Sequence, residues 1–165
     1  MRKEENASLF EIVTTTAGVK SIRHNRVNEI MHNPVGPSVE PNLLYINQSR
    51  LIERASKSDL ILYDVGLGAA ANAIAAIRSY SQHRPSYRLK IISFEIDLRL
   101  LEFALQNALE LEYIQGFEDA CRALLEKKIW QSPNQQIDWH LLAGDFRETI
   151  SGAPGPADII FFDPY

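Results

Sequence analysis

Hydrophobic positions change their rhythm near residue 58 of the chain. Upstream, β-branched stretches are cut by turn residues. Downstream, compact apolar runs alternate with segments whose apolar residues recur at helical spacing. Phe10-Glu11-Ile12-Val13-Thr14-Thr15-Thr16, then Ala17-Gly18, then Val19 to His24 predict a β-hairpin turning at Gly18. Pro34, Gly36, Pro37 and Pro41 break regular structure in the next segment. Residues 42–54 suit a short helix before the polar turn Arg54-Ala55-Ser56-Lys57-Ser58.

Beyond Leu60 four apolar runs predict strands, and each meets a carboxylate at its end. They are Leu60 to Tyr63 before Asp64, Leu89 to Phe94 before Glu95, Ile137 to Leu142 before Gly144-Asp145, and Asp158 to Phe162 before Asp163. Between them, Ala69 to Tyr80, Leu98 to about Leu111, and Phe117 to Ile129 predict helices. Strands alternating with helices imply an α/β fold with a mainly parallel sheet. Right-handed crossovers favour the strand order 3-2-1-4. The chain thus divides into an N-terminal hairpin and loop extension, 1–58, and an α/β domain, 59–165. Ile159-Ile160-Phe161-Phe162 is continuously apolar, as in a strand covered on both faces. The order nevertheless puts it at an edge, so further strands after it, or self-association through it, are expected.

Composition leaves this picture unchanged. With 165 residues, 45% hydrophobic and 23% charged, the chain is ordinary for one globular domain, and collagen-like, disordered and disulfide-scaffold classes are excluded. The lone Cys121 cannot form an internal disulfide, which suits a reducing cytoplasm. MRKEENASLF lacks the apolar region of a signal peptide, and no run approaches the roughly 18–20 residues of a membrane span. A net charge of −4 leaves no footprint for non-specific nucleic-acid binding. Repeats and heptads are absent from the sequence.

The carboxylates carry the chemistry. In an open α/β sheet, ligands sit outside the carboxyl ends of the strands, where the strand order reverses. Asp64, Glu95 (with Asp97 just beyond), Asp145 and Asp163 occupy all four ends. Asp also favours turns and caps, so capping is the competing explanation. Phosphate-bearing ligands need Gly-rich amides and often Lys or Arg, and GxxxxGK[ST] is absent. A row of acceptors suits a cationic, donor-rich ligand. S-adenosylmethionine has an ammonium, a sulfonium, a ribose diol and an exocyclic amine, and no phosphate. Gly66 and Gly68 let the backbone turn sharply beside such a ligand. Glu95 is placed to accept from both ribose hydroxyls, as an acid also does in NAD enzymes.

Asp64-Val65-Gly66-Leu67-Gly68-Ala69-Ala70 resembles the DxGxGxG motif of class I methyltransferases, with Ala70 in place of the last Gly. Over Tyr63 to Ile74 the chain is similar to the MnmC-like methyltransferases, including their Asn at Asn72. Further likeness lies in Thr16-Ala17-Gly18, Glu29-Ile30-Met31-His32, Gly36-Pro37, Glu40, Leu44-Tyr45-Ile46 and the ending ADIIFFDPY. The resemblance runs from about residue 14 to the last residue. It implies a Rossmann-like class I methyltransferase fold of seven strands. It also implies S-adenosylmethionine as cofactor, and transfer of a methyl group to the aminomethyl nitrogen of wobble uridine in tRNA. Some members of that family carry a fused or partner oxidase domain.

The same resemblance places Asp163 beside the methyl donor, where a carboxylate can orient the amine and accept its proton. It assigns Asp64, Gly66, Gly68, Asn72, Glu95, Asp97 and Asp145 to the cofactor, Asp145 at the adenine amine. Glu29 and Glu40 would close over the methionine end. Asp145 is equally an N-cap for a helix starting at Phe146. No metal is expected, because His24, His32, His83 and His140 lack ligand spacing. Lys20, Arg23, His24 and Arg26 are either a solvated face or a contact for tRNA phosphates. Trp130 and Trp139 either stack a base or pack in the core. Three other functions compete. Asp163-Pro164-Tyr165 resembles the DPPY signature of DNA-base amino-methyltransferases, with one Pro missing. The glycine turn also fits an NAD-binding oxidoreductase, and the short chain fits an inactive binding module.

Overall fold

Two β-branched stretches joined by a glycine turn pair as expected in the structure, a computed structural model describing residues 9–31, 37, 39 and 41–164. β1 (Phe10–Thr14) and β2 (Lys20–His24) are antiparallel, with Ile12 opposite Ile22. Gly18 closes the turn at φ 78°, donating to Thr15 O at 2.9 Å. The pattern did not predict β3 (Glu29–Ile30), which folds back so that His24 faces Glu29. Two residues are too few to show a period.

The helix expected over 42–54 is broken into a π-helical turn, Asn42–Ile46, and α1, Leu51–Ala55. Between them Arg50 sits in the left-handed region at φ 55°, which no continuous α-helix accommodates.

The central sheet has five strands among the described residues, in the order β6-β7-β5-β4-β8. β4 (Leu60–Val65), β5 (Leu89–Glu95), β7 (Ile137–Ala143) and β8 (Ile159–Phe162) are parallel, in the expected order 3-2-1-4. β6 (Ile129–Gln131) adds an antiparallel edge beside β7, where the sequence suggested only the end of a helix. Between the parallel strands run α2 (Ala71–His83), α3 (Arg99–Gln106) and α4 (Glu118–Lys127). α3 stops five residues before the expected Leu111, and a 3₁₀ turn, Glu112–Ile114, follows.

One sheet face is fully packed. Leu62, Leu89, Ile91, Trp139 and Phe161 from the strands meet Ala73, Ile77, Leu101 and Leu124 from the helices. Phe10 and Ile22 join the same cluster, so the N-terminal sheet is anchored in the main core. Each such apolar side chain contributes about 1.5–3 kcal/mol on burial. The other face carries a smaller cluster, Tyr63, Val65, Ile92 and Phe94, with Phe146 from α5 (Phe146–Thr149) packed on it. β8 shows the difference. Ile159 and Phe161 are buried on the helical face, whereas Ile160 and Phe162 are 56% and 61% exposed. Within the described residues the strand is covered on one face, against the two-sided cover its apolar run suggested. No helix among the described residues is long and apolar enough to cross a membrane.

Candidate functional site

The turn between β4 and α2 is where backbone geometry leaves least freedom. Gly66 and Gly68 have φ of 88° and 53°, and the amides of Gly66 and Leu67 both donate to Phe94 O on β5. A Cβ on Gly66 would lie 2.2 Å from the Asp163 carbonyl oxygen, so only glycine lets β8 end this close to the turn. Ala70, in the place of the motif's last Gly, is buried and also left-handed, at φ 67°.

Three of the four strand-end acids surround this turn. Glu95 ends β5; its Oε2 accepts from Gly68 N at 2.7 Å and its Oε1 from Asp97 N at 2.9 Å. Each carboxylate oxygen has two acceptor positions, so both retain capacity for a ligand. Asp163 follows β8, and its Oδ2 accepts from Asn72 Nδ2 at 3.1 Å. Asn72 thereby holds Asp163, a positioning contact that the sequence reading, which assigned Asn72 to the cofactor, did not contain.

Asp64 lies inside β4 and is 1% exposed. Its Oδ2 accepts from Ser93 Oγ at 2.7 Å, and Ser93 Oγ in turn accepts from Trp139 Nε1 at 2.9 Å. Its Oδ1 is buried without a partner. Burial pushes this carboxyl up to about 7; the Ser93 hydroxyl opposes the shift, and the negative charges of Glu95 and Asp163 add to it. Ser93 is not among the residues the sequence marks for the site, and Trp139 is marked only for stacking or packing. The signal for Ser93 is a lone hydroxyl inside an otherwise apolar strand. Trp139 is fully buried, which rules out base stacking, and Trp130 packs edge-on against it at 6.4 Å.

The remaining candidates lie further out. Asp97 is held by Arg99, whose Nε donates to Oδ1 at 2.9 Å, and this pairing lowers the Asp97 carboxyl below the usual range. Asp145 caps α5 by accepting from Arg147 N at 2.9 Å and pairs with the Arg147 side chain, which draws its carboxyl down to about 2. The capping explanation of Asp145 is therefore realised, while its side chain still borders a cleft. Glu29 is exposed on β3 and is not among the residues lining the clefts at the turn. Glu40 and His32 lie outside the described residues. In the basic cluster, Arg23 is paired with Glu11 at 3.0 Å and His24 packs against Phe10.

Three clefts meet at Gly66, Gly68 and Glu95. The first, about 40 Å³, is bordered by Met31, Asn72 and Asp163. The second, about 160 Å³, lies over Phe94, Ile96, Asp145 and Phe146. The third, about 230 Å³, lies under the N-terminal sheet at His24, Val27 and Asp97. No Lys or Arg is among the described residues lining any of the three. A further cleft, about 320 Å³, is at the opposite, amino end of the strands and is remote from these groups. The arrangement can bind a ligand rich in donors and positive charge, and among the described residues it places no Lys or Arg to neutralise a pyrophosphate.

No protein-family model matches the chain, and no curated protein matches it. Among solved structures, the crystal structure of MNMC2 from Aquifex aeolicus superposes with a TM-score of 0.69 over 99% of this chain, at 24% identity. The chain spans 55% of the length of that protein. At such identity the likeness is one of fold: this chain has the mixed α/β architecture of MNMC2, with a mainly parallel sheet and an antiparallel N-terminal sheet.

Proposed function

We propose that the chain is the S-adenosylmethionine-binding part of an N-methyltransferase whose substrate is an amine on tRNA. The observation that carries this reading is the convergence of Asp64, Glu95 and Asp163 on the Gly66–Gly68 turn, with no Lys or Arg among the described residues lining the cleft. Asp64 itself is buried inside β4, held by Ser93, and lines none of the three clefts. These residues fit the cofactor: the carboxylates of Glu95 and Asp163 border a turn on which its ammonium, sulfonium and ribose hydroxyls would lie. The fold shared with MNMC2 and the MnmC-like motif at Tyr63–Ile74 support the tRNA substrate. An NAD-dependent reaction lacks support, since the cleft presents carboxylates where pyrophosphate would lie.

When bound, S-adenosylmethionine supplies an electrophilic methyl group on a sulfonium. The protein's own part is positioning and proton management. Glu95 fixes the nucleoside end, its carboxylate already aimed by the Gly68 and Asp97 amides. Asp163 stands at the end of β8, steadied by Asn72, where it can orient an incoming neutral amine and accept the proton released after transfer. Asp145 and the Phe94–Phe146 pair, with ring centroids 4.8 Å apart, border the cleft suited to a purine.

Calorimetric titration tests the reading. S-adenosylmethionine should bind and NAD should not, and Glu95→Ala should weaken binding by about 1–3 kcal/mol through loss of a charged acceptor. Binding of NAD in preference, or unchanged affinity in Glu95→Ala, sinks it. Methyl transfer by the protein to tRNA bearing an aminomethyl uridine, against the same tRNA without it, tests the substrate.

A further inference from the structure

The cleft beneath the N-terminal sheet contains a group that the proposed reaction has not used. It shares Met31, Gly68, Glu95 and Leu100 with the glycine-turn cleft, so the two are continuous around Glu95. Its walls are mostly apolar, and its polar groups are His24, Glu95 and Asp97. Two of these are already engaged: Glu95 by the Gly68 and Asp97 amides, Asp97 by Arg99. His24 is the exception.

The ring of His24 stands edge-on to Phe10, centroids 5.1 Å apart and planes at 88°, on the three-stranded sheet. Its Nδ1 is sealed from solvent and has no hydrogen-bond partner. A neutral imidazole carries one N–H and one lone pair. An orphaned buried N–H is the rarer and costlier arrangement, so the unpartnered Nδ1 holds the lone pair and the hydrogen belongs on Nε2. His24 thus offers a donor in a cleft whose other polar groups are acceptors. A ligand hydroxyl is the group that satisfies both sides, giving its hydrogen to a carboxylate while its oxygen accepts from an N–H.

We infer that His24 is a further cofactor-binding residue, donating from Nε2 to the oxygen of a ribose hydroxyl whose hydrogen Glu95 accepts. The inference rests on the S-adenosylmethionine reading above and extends it to the N-terminal sheet, which becomes one wall of the nucleoside site.

The test measures affinity for S-adenosylhomocysteine and for its 2′-deoxy and 3′-deoxy analogues. His24→Phe keeps the ring against Phe10 and removes the nitrogens; it should weaken S-adenosylhomocysteine about fivefold to tenfold, the loss of one hydrogen bond. His24→Gln, which restores a donor near the Nε2 position, should return the affinity to within about twofold of the starting protein. With one of the two deoxy analogues the His24→Phe effect should disappear. Unchanged affinity in His24→Phe while Glu95→Ala still loses affinity overturns the His24 contact alone. An equal loss on all three ligands overturns it as well, since that would report packing. Failure of the unsubstituted protein to bind S-adenosylhomocysteine overturns both this contact and the function on which it rests.

Discussion

A carboxyl sealed in a core either finds donors for both oxygens or keeps its proton. Asp64 has one donor, Ser93, and an Oδ1 with none, so burial holds its pKa at about 7. The sign of the consequence follows from proton counts. In the unfolded chain the group titrates near its ordinary value, about 3.9. Between that value and about 7 the native state therefore binds the extra proton, and stability falls as pH rises through this window. Urea unfolding at pH 5 and pH 8 should show the loss. Asp64→Asn, which cannot ionise, should lose less between the same two pH values. Parallel profiles for the two proteins would place the Asp64 carboxyl in its ordinary range.

At the scale of elements, the β4–α2 turn and the end of β8 are built as one unit. The Gly66 Cα faces the Asp163 carbonyl and the Pro164 Cα, and the φ of 88° is one that side chains disfavour. Gly66→Ala should therefore cost on the order of 1–3 kcal/mol from backbone strain alone. It should also speed hydrogen exchange in β8, because the clash is relieved by moving that strand away. Denaturant unfolding checks the first effect and exchange the second; a cost below about 0.5 kcal/mol, the range of ordinary surface substitutions, would contradict the close approach. Ala70 shows the same turn carrying a Cβ in the left-handed region, at φ 67°. β3 and β6 show the opposite limit. With two and three residues they carry no usable alternation, and they exist because β2 and β7 offer edges for pairing.

Across the whole molecule, the sheet is asymmetric. Three helices cover one face, while Ile160 and Phe162 on the other stay exposed on the edge strand β8. Apolar edge strands favour association with other chains. Replacing Ile160 and Phe162 together by Thr should change stability little, within about 0.5 kcal/mol per site, and should lower self-association in sedimentation. Phe161→Ala, one residue away on the helical face, should cost about 3–5 kcal/mol. Equal costs for the two faces would mean that the exposed one is covered in solution.

Local chemistry was readable from the chain itself. Apolar runs, helical spacing and the glycines between Asp64 and Ala70 act over neighbouring residues, so they specified four parallel strands, their order and the turn at the centre of the site. The strand-end acids were legible for the same reason, being the first polar residues after apolar runs. Their roles were not, because these are set by partners far along the chain. Asn72 meets Asp163 across 91 positions, Ser93 meets Asp64 across 29, and Trp139 meets Ser93 across 46. His24 looked like part of a basic surface until the N-terminal sheet brought it to the cleft beside Glu95. Sequence neighbours determine backbone conformation through sterics and local periodicity; which side chains share a cavity is decided by the burial of distant segments against one another.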